Sequence, residues 1–265
     1  VLLMSTRIPM AADGIGAIVA AAGQAGIARE ELLRFAEDAA KMGVAEPRKG
    51  RVFFVDVPGA PQSIVYFLGT GPARQAKDYF PTTIMASILG GGFSSRINMN
   101  IREKNGYAYG AYGYFRYVRN GSMFLGGGSI RADVTKEAIL EIVKEIRGIL
   151  DGDATDAELS REKDGEILAL PARWATGQEI LSSFRELVYY GLPFDYYQSF
   201  VANIQAVTKR DIREAAGQYV QTDPLRLLVV GDGKNVLPKL KELVADKALG
   251  EGDLVMLDAD GKTLE

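Results

Sequence analysis

Residues 89–110 read LGGGFSSRINMNIREKNGYAYG, and their punctuation organises everything around them. Three glycines, Gly90 to Gly92, stop a helical pattern whose apolar stripe is Ile84, Met85, Ile88 and Leu89. Pro81 breaks a helix interior but suits a first turn, so this helix is expected to start near Asp78. Ser94 and Ser95 can cap a second, short helix running to about Lys104. Asn105-Gly106 then turns the chain tightly, and strand-type sequence begins at Tyr107. Arg102 is thereby placed near a helix end and Tyr109 at the start of the next strand, where both can point into one groove. A guanidinium fork and a phenol hydroxyl are good donors to a peptide carbonyl, a carboxylate or a developing oxyanion. A surface arginine paired with a carboxylate, beside a tyrosine in a sheet, is the bland alternative. Residue chemistry alone leaves both open.

Downstream, residues 107–118 and 121–132 are rich in aromatic and β-favouring positions and flank Asn120-Gly121, the strongest short hairpin signal. A helix is expected over about 134–150, with Ile139, Ile142, Val143, Ile146, Ile149 and Leu150 on one face. Another should cover 156–170, opened by the capping box Thr155-Asp156-Ala157-Glu158. Helical patterns follow at 174–190, 195–205 and 209–220, the last with a similar cap from Thr208 to Asp211. Arg226–Val230 reads as a strand ended by Gly231-Asp232-Gly233, and Val236–Ala245 as the final helix.

Upstream, the β-type runs Val52–Val57 and Ser63–Leu68 flank the turn signal Pro58-Gly59-Ala60-Pro61. Residues 15–45 carry a small apolar segment and then a helical pattern (Leu32, Leu33, Phe35, Ala36, Ala39), and Lys49-Gly50-Arg51 reads as a connector. The expected organisation is therefore a linker or tail of a preceding domain over 1–48 and one α+β domain over 49–265. That domain should hold an antiparallel-rich sheet with helices packed on one face. The chain starts at Val1 and ends in Leu264-Glu265, an ending that resembles a cloning scar; an excised fragment and a natural terminus both fit.

Composition excludes several chemistries. Among 265 residues there is no histidine and no cysteine, which argues against a typical structural zinc site and makes a cysteine nucleophile impossible. No D-x-D-x-D-G loop offers a calcium site. A net charge of -3, from 31 basic and 34 acidic residues spread along the chain, provides no basic block for nucleic acid. The longest weakly polar run, Gly14 to Ala28, is too short and too broken for a membrane span and lacks the basic flank of a signal peptide. Zero cysteines leave a periplasmic and a cytoplasmic location equally open. The triple glycine follows a predicted helix and carries no lysine, which argues for a flexible or close-packed link over a phosphate loop. Gly126-Gly127-Gly128 reads as a bulge or close backbone approach in a strand. Glu158, Glu162 and Glu166 share a predicted helix face and read as solvated. Tyr107, Tyr109, Tyr112, Tyr114, Phe115 and Tyr117 read as cross-strand core packing rather than a stacking platform.

The run LGGGFSSRINMNIREKNGYAYGAYGYF (89–115) resembles the hallmark of the non-catalytic domain in the insulinase/pitrilysin family of zinc metallopeptidases, the inverzincins. RVFFVDVPGAPQSIVYFLG (51–69) is similar to the first strands of that domain. YYGLPFDYYQSFVANIQAVTKRDIREAAGQYV (189–220), followed by LLVVGD (227–232), is similar to its closing helices and last strand. The resemblance spans roughly 50–232, and the first forty-odd residues match poorly. It implies a clam of two homologous α+β halves around an extended peptide. One half binds zinc through H-x-x-E-H and a distal Glu; the other supplies an Arg and a Tyr, here Arg102 and Tyr109. No H-x-x-E-H exists in this chain, which has no histidine. The resemblance therefore implies no cofactor here and zinc in a partner half, encoded upstream or as a separate subunit, and no peptidase activity for this chain alone. The expected role is the substrate-binding half of a two-part zinc metalloendopeptidase. The alternatives are a catalytically dead scaffold subunit of the same superfamily and a stand-alone module that binds peptides along a sheet edge.

Overall fold

The structure, a computed structural model, describes residues 51–118, 121–152, 154–221 and 225–264. The helical pattern at 15–45 and the linker expected over 1–48 lie outside these residues, as does Asn120 of the hairpin signal. Six strands form one sheet: β1 (Val52–Asp56), β2 (Gln62–Gly71), β3 (Ala111–Val118), β4 (Gly121–Arg131), β5 (Arg226–Gly231) and β6 (Leu254–Leu257), in the order β3-β4-β2-β5-β1-β6. The α+β class holds, but the sheet is mixed. β2 pairs antiparallel with β4 and β5, and β3 with β4, where Val118 lies opposite Gly121. β1, however, runs parallel to both β5 and β6. The reason is that the Pro58–Pro61 turn does not fold β1 back onto β2: β5 inserts between them, Val229 meeting Phe54 on one side and Val65 on the other. β6, beyond the last expected helix, is an element the sequence reading missed, because four apolar residues between glycines and aspartates carry no period to count.

The helices collect on one face. In β3, Ala111, Gly113 and Phe115 are buried while Tyr112, Tyr114 and Arg116 are exposed, the period of two that leaves one face of a sheet open. Ser63, Val65 and Phe67 are likewise the buried residues of β2. Onto that inner face packs α3 (Thr135–Asp151), whose Ile139, Ile142, Val143, Ile146 and Ile149 are all buried, as the periodicity requires. α1 (Tyr79–Ala86) starts after Asp78 as expected and continues through a π-type turn over Ser87–Gly91. Next come the single turn α2 (Arg96–Asn98), α4 (Asp156–Ala169), α5 (Gly177–Tyr190), α6 (Phe200–Ala206), α7 (Lys209–Tyr219) and α8 (Gly233–Ala245).

Both capping boxes form. Thr155 Oγ1 accepts from the Glu158 amide (3.1 Å) while Glu158 Oε2 accepts from the Thr155 amide (2.8 Å), and Thr208 and Asp211 repeat the pattern at α7. Glu158 does more than cap. Arg96 donates to both of its carboxylate oxygens, Nε at 2.7 Å and Nη2 at 2.8 Å, which ties α2 to α4. The α4 acidic face is accordingly not solvated: Glu158, Glu162 and Glu166 are all half-buried, and burial raises the Glu166 carboxyl above its usual range.

Candidate functional site

The link that stops α1 is a close-packed one. Gly90 bridges to Gly113 on the outer edge of β3, and a Cβ on Gly90 would lie 2.0 Å from the Gly113 nitrogen. Only a residue without a side chain lets the helix end touch the strand. The same contact occupies part of the β3 edge that an added peptide strand would need. Within β4, Gly127 faces the Val65 carbonyl oxygen so closely that a Cβ would sit 2.0 Å from it, the close approach expected of that glycine run.

From Gly92 the chain enters the second helix, but not through a serine cap. Ser95 occupies the N-cap, yet its hydroxyl donates backward to the Gly92 carbonyl at 2.6 Å and accepts nothing from the helix. The tight turn from Gly92 to Ser95, closed by a 3.2 Å backbone bond, puts that carbonyl within its reach. α2 then widens into a π-type helix over Met99–Lys104, a winding that is rare and concentrates at functional sites.

Three asparagines fasten this helix. Asn98 is buried; it donates to the Phe93 carbonyl at 2.7 Å and accepts from the Ala111 amide at 3.2 Å, clamping the glycine loop to the start of β3. Asn100 donates to both Glu141 and Glu145 of α3, and accepts from Asn105 at 2.6 Å. The Asn100 bond holds the Glu141 carboxyl below its usual range. The helix ends when Gly106 adopts φ +61, with Gly106 N bonded to Arg102 O (3.0 Å) and Tyr107 N to Ile101 O (2.9 Å). This is a left-handed closure one residue wider than the usual Schellman pattern, as the π winding demands.

The closure returns the chain past its own helix. Tyr109 does not begin the strand, as the sequence reading expects; β3 starts at Ala111, and Tyr109 stands 85% exposed in the bend before it. Arg102 and Tyr109 nonetheless meet, the guanidinium carbon lying 4.7 Å from the Tyr109 ring centre. A third member that the sequence reading did not single out completes the cluster: Phe93, 60% exposed, whose ring centre is 4.9 Å from the same carbon. Arg102 thus lies against two aromatic rings, an arrangement worth about 0.5–1 kcal/mol per contact at exposed sites. Its Nε is also 3.0 Å from Glu103 Oε1. No hydrogen-bond partner holds the Tyr109 hydroxyl among the described residues, so it is available as a donor.

The aromatic run divides by face. Phe115 is core, packed 5.3 Å from Phe124, and Tyr117 is half-buried beside Tyr79 at 5.1 Å. Tyr109, Tyr112 and Tyr114 are exposed, contrary to the core reading, because the alternation of β3 turns Tyr112 and Tyr114 onto the open face. No group of three or more carboxylates that could hold a metal ion occurs among the described residues. With no histidine in the chain, the residues present do not fit zinc.

A family model described as the peptidase M16 inactive domain matches residues 30–166, just over half of the chain. This chain belongs to the M16 family, as an inactive domain. The resemblance to the zinc-free half of the insulinase/pitrilysin peptidases is borne out by that match. The M16 domain is 24% identical over 174 residues to the non-peptidase homolog YmxG of Helicobacter pylori, covering 65% of this chain and 40% of that one. Its fold is similar to that of a peptidase M16 inactive domain from Pseudomonas fluorescens (TM-score 0.64, 22% identity, 77% of this chain and 50% of that one). It is also similar to the inactive peptidase domain of a protein from Bordetella parapertussis described as a zinc protease (TM-score 0.56, 15% identity, 64% of this chain and 92% of that one). The chain therefore spans about half the length, or less, of the first two of these relatives.

Proposed function

We propose that this M16 inactive domain is the substrate-facing, non-catalytic half of a two-part zinc metalloendopeptidase, acting in trans with a zinc-bearing homologous half on an extended peptide. Tyr109 donates a hydrogen bond to the scissile carbonyl oxygen as it becomes an oxyanion, and Arg102 binds substrate backbone or a carboxylate beside it. One observation carries this reading: the Arg102 guanidinium, at the end of a helix fastened by buried asparagines, lies 4.7 Å from the ring centre of Tyr109 in the exposed bend that follows, and the Tyr109 hydroxyl has no hydrogen-bond partner among the described residues. A core tyrosine would not be presented in this way.

The test mixes the chain with its zinc-bearing half and measures peptide cleavage, with assembly followed by size-exclusion chromatography. The chain alone should show no turnover. In the mixture, Tyr109→Phe should lower kcat about 10²–10³-fold, the usual effect of removing one oxyanion donor, while assembly is unchanged. Arg102→Ala should raise KM.

A scaffold role is the second reading, and two observations favour it. The Helicobacter pylori relative is named a non-peptidase homolog. The Arg102 guanidinium is also already engaged by Phe93, Tyr109 and Glu103. Assembly without cleavage, or cleavage indifferent to both substitutions, selects the scaffold. The sheet-edge module fares worse, since the Gly90–Gly113 bridge blocks part of the β3 edge.

A further inference from the structure

Arg116 sits on β3, seven residues beyond Tyr109 and so up to about 23 Å along an extended chain. There, a cleft of about 520 Å³ opens between the β2–α1 loop, the end of β3 and α5. Four arginines line it, Arg74, Arg116, Arg173 and Arg185, against two carboxylates, Glu179 and Glu186. Arg74 is 3% exposed, caged by Tyr79 (3.7 Å) and Tyr196 (4.9 Å), and donates through Nη2 to Glu186 Oε1 at 2.9 Å. Its Nη1 is buried and has no hydrogen-bond partner among the described residues. The other oxygen of Glu186 accepts from Arg173 Nη1 at 2.8 Å. One carboxylate is therefore shared by two guanidiniums, and the trio keeps a net positive charge in a partly desolvated wall. Arg116 and Arg185 are exposed on the rim and form no ion pair among the described residues.

We propose that this cleft binds the carboxylate of an acidic peptide residue. Glu186 balances only one of the two guanidiniums it holds, and a bound anion offsets the remaining positive charge. Arginine forks match carboxylate geometry. The excess on the lining is modest, and Glu179 and Glu186 would repel a phosphate dianion, so a singly charged group fits best. The volume lies in the range of small-ligand sites and admits a side chain with its flanking backbone. Tyrosine rings on the wall suit the organic part of such a ligand.

The site is tested on the chain by itself, so its failure says nothing about the zinc-dependent reading. The probe is a capped pentapeptide of alanines with one central glutamate, compared with its glutamine counterpart and with inorganic phosphate. Binding is read by calorimetry and by fluorescence of Trp174, the chain's one tryptophan, next to Arg173. The glutamate peptide should bind at low salt and weaken as salt rises, and the glutamine peptide should bind at least tenfold more weakly. Arg116→Gln and Arg185→Gln should each weaken binding about tenfold, the effect of losing one charge-assisted bond. Both are exposed, so the thermal midpoint should not move. Arg74 is left intact because its removal would disturb Glu186 and Arg173. Equal binding of the two peptides, no binding, indifference to both substitutions, or tighter binding of phosphate than of the glutamate peptide would each overturn the proposal.

Discussion

At the scale of single residues, Gly90 and Gly113 touch yet are not equivalent. A methyl on Gly90 meets backbone at 2.0 Å, whereas a methyl on Gly113 meets its neighbours no closer than 3.5 Å, ordinary van der Waals contact. Gly90→Ala should therefore destabilise by about 3 kcal/mol or more, because backbone and not a flexible side chain has to move. Gly113→Ala should stay within about 1 kcal/mol. Urea denaturation of the two variants measures the asymmetry; equal costs would mean that the bridge is not closed. The spacing of Arg102 and Tyr109 could be read from the sequence, but their cradle could not. Phe93 follows a glycine run, and nothing local marks it as the second aromatic face on Arg102.

At the scale of elements, Glu158 joins a helix cap to an inter-helix ion pair. Its partners hold its carboxyl down to about 2, chiefly through the Arg96 hydrogen bonds. A depressed carboxylate contributes stability that is present above its unfolded value, near 4.5, and is lost as pH falls through about 2. Solvent screening at this partly exposed site limits the contribution to about 1–2 kcal/mol. Thermal midpoints measured from pH 5 down to pH 2.5 should fall more steeply for wild type than for Glu158→Gln, and the two should converge in acid. Parallel curves would dissociate Glu158 from acid stability. Here the sequence was legible in part: Thr155 with Glu158 spells a cap because both partners lie within one turn. Arg96 lies 62 residues away, with β3, β4 and α3 between, so the same glutamate read as solvated.

For the whole molecule, β6 covers the outer edge of β1, pairing Val52 with Leu254 and Val55 with Leu257. Removing residues 251–265 should expose that edge, lower the thermal midpoint and produce concentration-dependent light scattering, as unpaired strands do. A truncated chain that melts like the full one and stays monomeric would show β6 to be dispensable. The sequence by itself determined the helices, whose apolar periods and capping boxes are local, the presence of the β3–β4 hairpin, and the absence of a zinc ligand set. Tertiary structure alone decided that β5 enters between β1 and β2 and makes the sheet mixed, since this pairs residues from opposite ends of the described chain. It alone gathered Arg74, Arg116, Arg173 and Arg185 from four separate segments into one cleft. The physical reason is common to both cases: hydrogen bonds and packing within a turn leave a pattern in neighbouring residues, whereas contacts closed by long loops leave none.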